Sequence, residues 1–316
     1  MKIIVNSLHG EDDFDLLDIS TVKINDIIIF DIYIKKDNNF VIIIEAGTTI
    51  TEALYDKLKK QDFLYIEKKD KLLATKQNLR FLIRQNRENA QKSVSILYET
   101  TNYLFDTFFN NSDDVIDIEC VKTIVNSIIF LVHYNEKFTN AVMPHFTRGY
   151  TFANHSLQVA IYAIKLGILL KLDSEELLKL GTAALLHDVG FKKLSFQPIC
   201  KDSPLNEDEQ KEVELHPIYG VDILKKNHIT DVSILDAVKH HHERYDGSGY
   251  PNKLPKIHIS QFASIIAICD VFDALTNERP HRKKLKTYDA LRMMVKDEEM
   301  CGKFNQQYLT LAIKSL

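Results

Sequence analysis

The chain has 316 residues, 45% of them hydrophobic and 27% charged, with 40 Lys plus Arg against 44 Asp plus Glu for a net charge of −4. Those proportions exclude a disordered chain and a general nucleic-acid coat, which would be basic. No run approaches the ~20 apolar residues of a membrane helix. The start, MKIIVNSLHGEDD, has acids where a secretory leader would carry its apolar core, and Cys120, Cys200, Cys269 and Cys301 are scattered without a Cys-x-x-Cys pair. The expectation is therefore a cytoplasmic protein, with neither a membrane nor a nucleic-acid polymer as partner.

Residues 1–75 read as a small α/β module. Ile27 to Ile34 and Phe40 to Ile44 are β-branched runs separated by the turn-formers Lys36 to Asn39,. A helical pattern runs through Leu54 and Leu58, and a short strand is expected from Phe63 to Ile66. Residues 76–145 read as a helical connector packing on the following domain. Ile83, Ala90, Leu97 and Leu104 recur every seven residues, with Val94 and Phe108 on the same side. Such a seam suits a homodimer through the 79–109 helix or packing within the chain, and Asn86 and Thr101, which interrupt it, favour the second,. Another amphipathic helix follows through Val115, Ile118, Val121, Val125, Ile128 and Val132.

Residues 146–316 carry only helix signals. Asp173 and Asn206 are N-cap candidates ahead of acidic first turns, and Gly190 reads as a helix stop,. Helices are expected over Ile229 to His242 and His258 to Thr276, with a break at Pro217,. The fold class is mainly α: an all-helical domain behind a small α/β module and a helical linker.

Five segments of this domain each bring a candidate metal ligand: His155, the pair His187-Asp188, His216, the run His240-His241-His242, and Asp270. A histidine alone on a helix is usually an ordinary one, and His133, His145, His228 and His258 read that way,. Asp270 is different, because it stands among Ile265, Ile266, Ile268, Val271 and Phe272. A buried, unpaired carboxylate there would cost several kcal/mol, which a cation removes. Imidazoles and carboxylates without thiolates suit Fe or Mn, with Zn or Ni as alternatives. Neighbours on a helix point about 100° apart, so His187 and Asp188 can serve two metals, the carboxylate bridging. A centre with ions ~3.5–4 Å apart activates water at neutral pH and clamps the attacking and leaving oxygens of a phosphoryl displacement.

In their order, HSLQVAIYA, LLHDVG, HPIYGVDIL, HHERYDGSGYP and ICDVFDALTNERPHR resemble the HD-GYP branch of the HD hydrolases, over about residues 145–316. The first seventy residues more loosely resemble a module that accompanies some of these domains. The resemblance implies an all-helical metallohydrolase that opens cyclic di-GMP to pGpG or GMP. It implies His155, His187, Asp188, His216, His241, His242 and Asp270 as ligands, with His187 and Asp188 at the catalytic centre and His240 unassigned. It also places Arg279, Arg282 and Asp273 at the substrate, and guanidinium groups suit phosphate and guanine. Asp246 to Pro251, which contains Tyr250, reads as a surface turn from its glycines and proline. The resemblance makes it a signature loop for substrate handling and for contacts with diguanylate cyclase (GGDEF) domains. Two positions depart from the family pattern: Phe191 stands where a lysine is expected, and Thr151 stands where members with three metals have glutamate. Two metals are expected, and Lys192 or Lys193 is the candidate to replace the missing charge. The alternatives to a working phosphodiesterase are a weakly active sensor that binds metal and dinucleotide, and an HD hydrolase acting on another nucleotide.

Overall fold

The computed structural model describes residues 13–17, 19, 22–37, 39–71, 73–74, 77, 90–134, 151–196, 204–277, 283–298 and 300–316. The chain divides into two compact units, Met1–Gln85 and Asn86–Leu316.

The first unit holds an antiparallel sheet of β1 (Phe14–Leu16), β2 (Ile32–Lys36), β3 (Asn39–Ile44) and β4 (Tyr65–Glu67), in the order β1-β4-β2-β3. β2 and β3 form the expected hairpin, closed by the pair Lys36 and Asn39, with Asp37 at φ +52° in the turn,. Because side chains alternate along a strand, β2 feeds two cores. Ile32 joins Ile28, Phe30, Ile44, Ile50, Leu58, Leu64 and Ile66. Tyr33 joins Phe14 and Phe40, whose rings stack at 3.8 Å. Helix α1 (Glu52–Lys59), capped by Thr51, contributes Leu58. β2 begins at Ile32 rather than Ile27 because residues 25–31 turn back on 46–50. Ile28 donates to the Thr48 carbonyl, and the Asp31 carboxylate accepts from the Ala46 N–H.

Among the described residues the second unit is helical: α2 (Ala90–Asn110), α3 (Ile118–Tyr134), α4 (Phe152–Leu169), α5 (Ser174–Leu186), α6 (Glu207–Val213), α7 (His216–Lys226), α8 (Val232–His240), α9 (Gln261–Thr276), α10 (Thr287–Lys296) and α11 (Gln306–Ser315). Helix α4 is central, packed by α2, α3, α5, α9 and α11. That explains why it is buried nearly all round, including Asn154, His155 and Gln158. The heptad seam of α2 is filled within the chain, since Val94, Leu97, Leu104 and Phe108 are buried and the helix packs on α3 and α4. Thr101 is tolerated in that seam because its hydroxyl donates to the Leu97 carbonyl,. Ile83 and Asn86 lie outside the described residues. No described helix is long and apolar enough to cross a membrane.

Asp173 and Asn206 each form a capping box, with Glu176 and Glu209 as partners,. The chain breaks between α6 and α7, and Pro217 sits in the first turn of α7, where its missing N–H costs nothing. Gly190 is not a helix stop. Helix α5 already ends at Leu186, and Gly190 lies in a 3₁₀ turn, Val189–Lys193, packed on α7. A Cβ there would lie 1.9 Å from the His216 carbonyl oxygen, so only glycine allows this approach,.

Ile128 of α3 is fully buried. Ile128→Ala should lower unfolding free energy by about 2–5 kcal/mol in denaturant titration, the usual cost of an aliphatic cavity. A loss under about 1 kcal/mol would mean that α3 is not part of this core.

Candidate functional site

Six of the seven expected ligands come from the ends of packed helices or the turns beyond them, and the seventh, Asp270, from within α9. His155 lies in the first turn of α4, and His187 and Asp188 follow the last residue of α5. His216 opens α7, while His241 and His242 follow α8. His155, His187, His216 and His241 are almost fully buried, and Asp188 and Asp270 are buried.

Three imidazoles are held the same way. The Nδ1 atoms of His187, His216 and His241 donate to the carbonyls three residues earlier, those of Ala184 (2.8 Å), Val213 (2.6 Å) and Val238 (2.7 Å). His155 instead donates from Nδ1 to the Asp273 carboxylate at 2.7 Å. With Nδ1 as donor, each neutral ring carries its lone pair on Nε2. Those lone pairs converge: His155 and His187 face each other Nε2 to Nε2 at 3.2 Å, as do His216 and His241.

Asp188 stands between the two pairs. Its Oδ2 lies 3.4 Å from His155 Nε2 and 3.2 Å from His187 Nε2. Its Oδ1 lies 3.2 Å from His216 Nε2 and 3.6 Å from His241 Nε2. Although buried among these nitrogens, Oδ1 accepts no hydrogen bond. The donors form two clusters that share Asp188, one with His155 and His187 and the other with His216, His241 and His242. Asp270 reaches toward both, with Oδ1 3.3 Å from His155 Nε2 and Oδ2 3.9 Å from His242 Nδ1. Converging imidazole nitrogens and an orphaned carboxylate oxygen are a donor set that suits divalent cations.

Burial and neighbouring charge act against each other at these groups. Burial would raise the Asp188 carboxyl, but His187, His155 and His216 hold it well below the usual carboxylate range. Burial and neighbouring imidazoles push His241 down to about 4 and His242 well below its ordinary value, so both stay neutral, as ligands must,. Burial would depress His187 too, but the Asp188 carboxylate reverses the direction.

The surrounding residues divide clearly. Tyr250 stacks on His242 at 4.6 Å between ring centroids. Its loop is at once a turn and a wall of the site. Asp246 accepts from the Ser248 N–H, and Tyr250 donates from its backbone to the His242 carbonyl. Glu243, which the motifs left without a role, is buried and accepts the backbone N–H groups of Asn252 (2.7 Å) and Leu254 (2.9 Å), tying the loop down. Its position directly after three histidines and before a glycine-rich loop was the available signal. His240 is turned away, bonded to Asp236 and Asn252.

Asp273 lies behind His155. It is fully buried, with Oδ2 on His155 and Oδ1 on Asn277. The apolar pattern of α9 could not show which of its carboxylates meets His155 Nδ1. Neither neighbouring lysine replaces the missing one. Lys192 donates to the carbonyls of Phe108 and Asp113, and Lys193 pairs with Asp114 at 2.6 Å. Phe191 instead stacks on His216, 4.2 Å between centroids and 15° from parallel. Thr151 caps α4 by accepting the Asn154 N–H. Arg279, Arg282 and His145 lie outside the described residues.

A family model described as HD domain matches residues 140–302, just over half of the chain. This chain belongs to the HD domain family. The HD-GYP assignment read from its motifs stands. The chain is 34% identical over 167 residues to Cyclic di-GMP phosphodiesterase PA4108 of Pseudomonas aeruginosa, covering 53% of this chain and 39% of that protein. It is 36% identical over 143 residues to 3'3'-cGAMP-specific phosphodiesterase 3 of Vibrio cholerae, covering 45% and 31%. The chain thus spans less than half the length of these curated relatives. The solved structure of Bd1817, a HDG"Y"P protein from Bdellovibrio bacteriovorus, shares the fold with a TM-score of 0.62 at 18% identity, over 96% of this chain and 99% of that one.

Metal analysis of protein purified without oxygen should find two transition-metal ions per chain. Asp188→Ala should lose both and His240→Ala neither. Full metal content in Asp188→Ala would overturn the bridging assignment.

Proposed function

We propose that this chain is a metal-dependent phosphodiesterase that hydrolyses cyclic di-GMP to pGpG, GMP or both. The observation that carries the reading is the pair of donor clusters sharing the Asp188 carboxylate. Bound there, two divalent ions, Fe or Mn by the nitrogen and oxygen donors, supply Lewis-acid charge and water acidified toward neutral pH. His155, His187, His216, His241, His242 and Asp270 hold the ions, and His187 and Asp188 stand at the centre of the reaction. The Tyr250 ring, stacked on His242, forms one wall of the substrate position. Arg279 and Arg282, which follow α9 in the sequence, offer guanidinium groups for the phosphate and guanine. The relatives' names support this class of substrate: one is a cyclic di-GMP and another a 3'3'-cGAMP phosphodiesterase.

The partners that accompany this reading are cyclic di-GMP itself and, at the Asp246 to Pro251 loop, diguanylate cyclase domains. Self-association through residues 79–109 is weighed against by the filled α2 seam.

A second reading rests on Phe191. Its ring lies on His216 where a cationic side chain would meet the phosphate, and Lys192 and Lys193 are engaged elsewhere. On that reading the protein binds metal and dinucleotide but turns over slowly, as a sensor.

Chromatography of cyclic di-GMP and 3'3'-cGAMP incubated with metal-loaded protein tests both. Product from cyclic di-GMP, with a gain toward about 10²–10³-fold in kcat for Phe191→Lys, is expected from the usual worth of a preorganised donor. Tight binding without product favours the sensor. Neither binding nor product with metal in place would overturn the proposal.

A further inference from the structure

The four rings held through Nδ1 are not equivalent. His187, His216 and His241 each lean on a neutral backbone carbonyl from their own chain turn, whereas His155 leans on a carboxylate from another helix. That carboxylate, Asp273, is fully buried and itself held from behind. Asn277 donates from Nδ2 to Asp273 Oδ1 at 2.6 Å and to Gln158 Oε1 at 3.1 Å. Gln158 Oε1 also accepts from the Tyr162 hydroxyl at 3.4 Å, and both Gln158 and Tyr162 sit on α4, the helix that carries His155. The network closes on itself: α9 sends a carboxylate to α4, and α4 returns an amide that, through Asn277, fixes the carboxylate's orientation. A negative partner on Nδ1–H makes the opposite nitrogen a stronger donor and locks the tautomer, which a carbonyl does less well.

We infer that Asp273 is a positioning residue that selectively strengthens the ion held on the His155–His187 side, with Asn277 and Gln158 keeping its carboxylate aimed. The inference rests on the two-metal reading of the site and deepens it, since it makes the two positions chemically unequal. Its consequence is a site whose halves lose metal separately, in an order set by Asp273.

The test uses the whole chain loaded with Mn2+ and titrated with a chelator, with bound metal measured at each step. Compared with the wild type, the single variants His155→Ala and His241→Ala identify which ion belongs to which half. Asp273→Asn, which keeps the shape and removes the charge, should release the His155-side ion at about 10–100-fold lower chelator concentration, the usual worth of a partner behind a ligand. The other ion should be held as in the wild type. That internal reference separates positioning from a general loss of structure, which would loosen both. Asn277→Ala leaves the carboxylate but frees it, and should weaken the same ion by a smaller factor. It carries the test should Asp273→Asn not fold. Equal weakening of both ions, or of neither, overturns the inference. Wild-type protein that never holds two Mn2+ would overturn the bimetal reading beneath it.

Discussion

The structure depends on keeping imidazole lone pairs facing one another around one carboxylate. Two Nε2 pairs at 3.2 Å, with Asp188 between them, form an arrangement that repels itself unless positive charge occupies the middle,. Everything nearby serves to hold the rings in that costly orientation. Three backbone carbonyls and one carboxylate fix Nδ1, and Gly190 lets the turn after Asp188 sit against the His216 backbone. The central position of α4 keeps His155 buried, with Nδ1 on Asp273.

The same constraint explains the architecture of the helical unit. Most of its ligands lie at helix ends, where the chain changes direction and a side chain can point into a junction. α5 ends just before His187, α7 starts at His216, and α8 ends just before His241. The apolar cores of α3, α4 and α9 bring those ends together, so hydrophobic packing far from the cluster sets donor positions within it. Aromatic contacts extend this outward. Phe191 on His216 touches Phe152, which stacks on Phe109 of α2 at 4.9 Å. The connector helix is thereby joined to a ligand ring, in the place where a lysine was expected.

Much of this could be read in the sequence because the chemistry leaves few alternatives. A carboxylate amid isoleucines, a His-Asp pair at a helix end and three consecutive histidines are hard to place without a common ion, and six of the seven residues fall in the two donor clusters with Asp270 beside His155. Helix caps were also legible at Asp173 and Asn206, since a cap depends only on neighbours in sequence. What depended on distant partners was not. Asp273 looks like any second acid on α9, and only the packing of α9 on α4 puts it behind His155. Lys192 and Lys193 were candidates for the phosphate on proximity in the chain, yet the 3₁₀ turn directs them to the end of α2 and the segment after it. Gly190 resembles a helix stop until its approach to His216 is known. In the first unit, Ile27 to Phe30 have strand composition but are drawn into a turn paired with residues 46–50.

The most direct test of the central claim is anomalous diffraction from crystals of the metal-loaded protein, recorded at the absorption edge of the bound metal. Two peaks about 3.5–4 Å apart are predicted, one on each side of Asp188, each within bonding distance of the Nε2 atoms that face it. A single peak, or metal bound away from Asp188 with those nitrogens still opposed, would contradict the account.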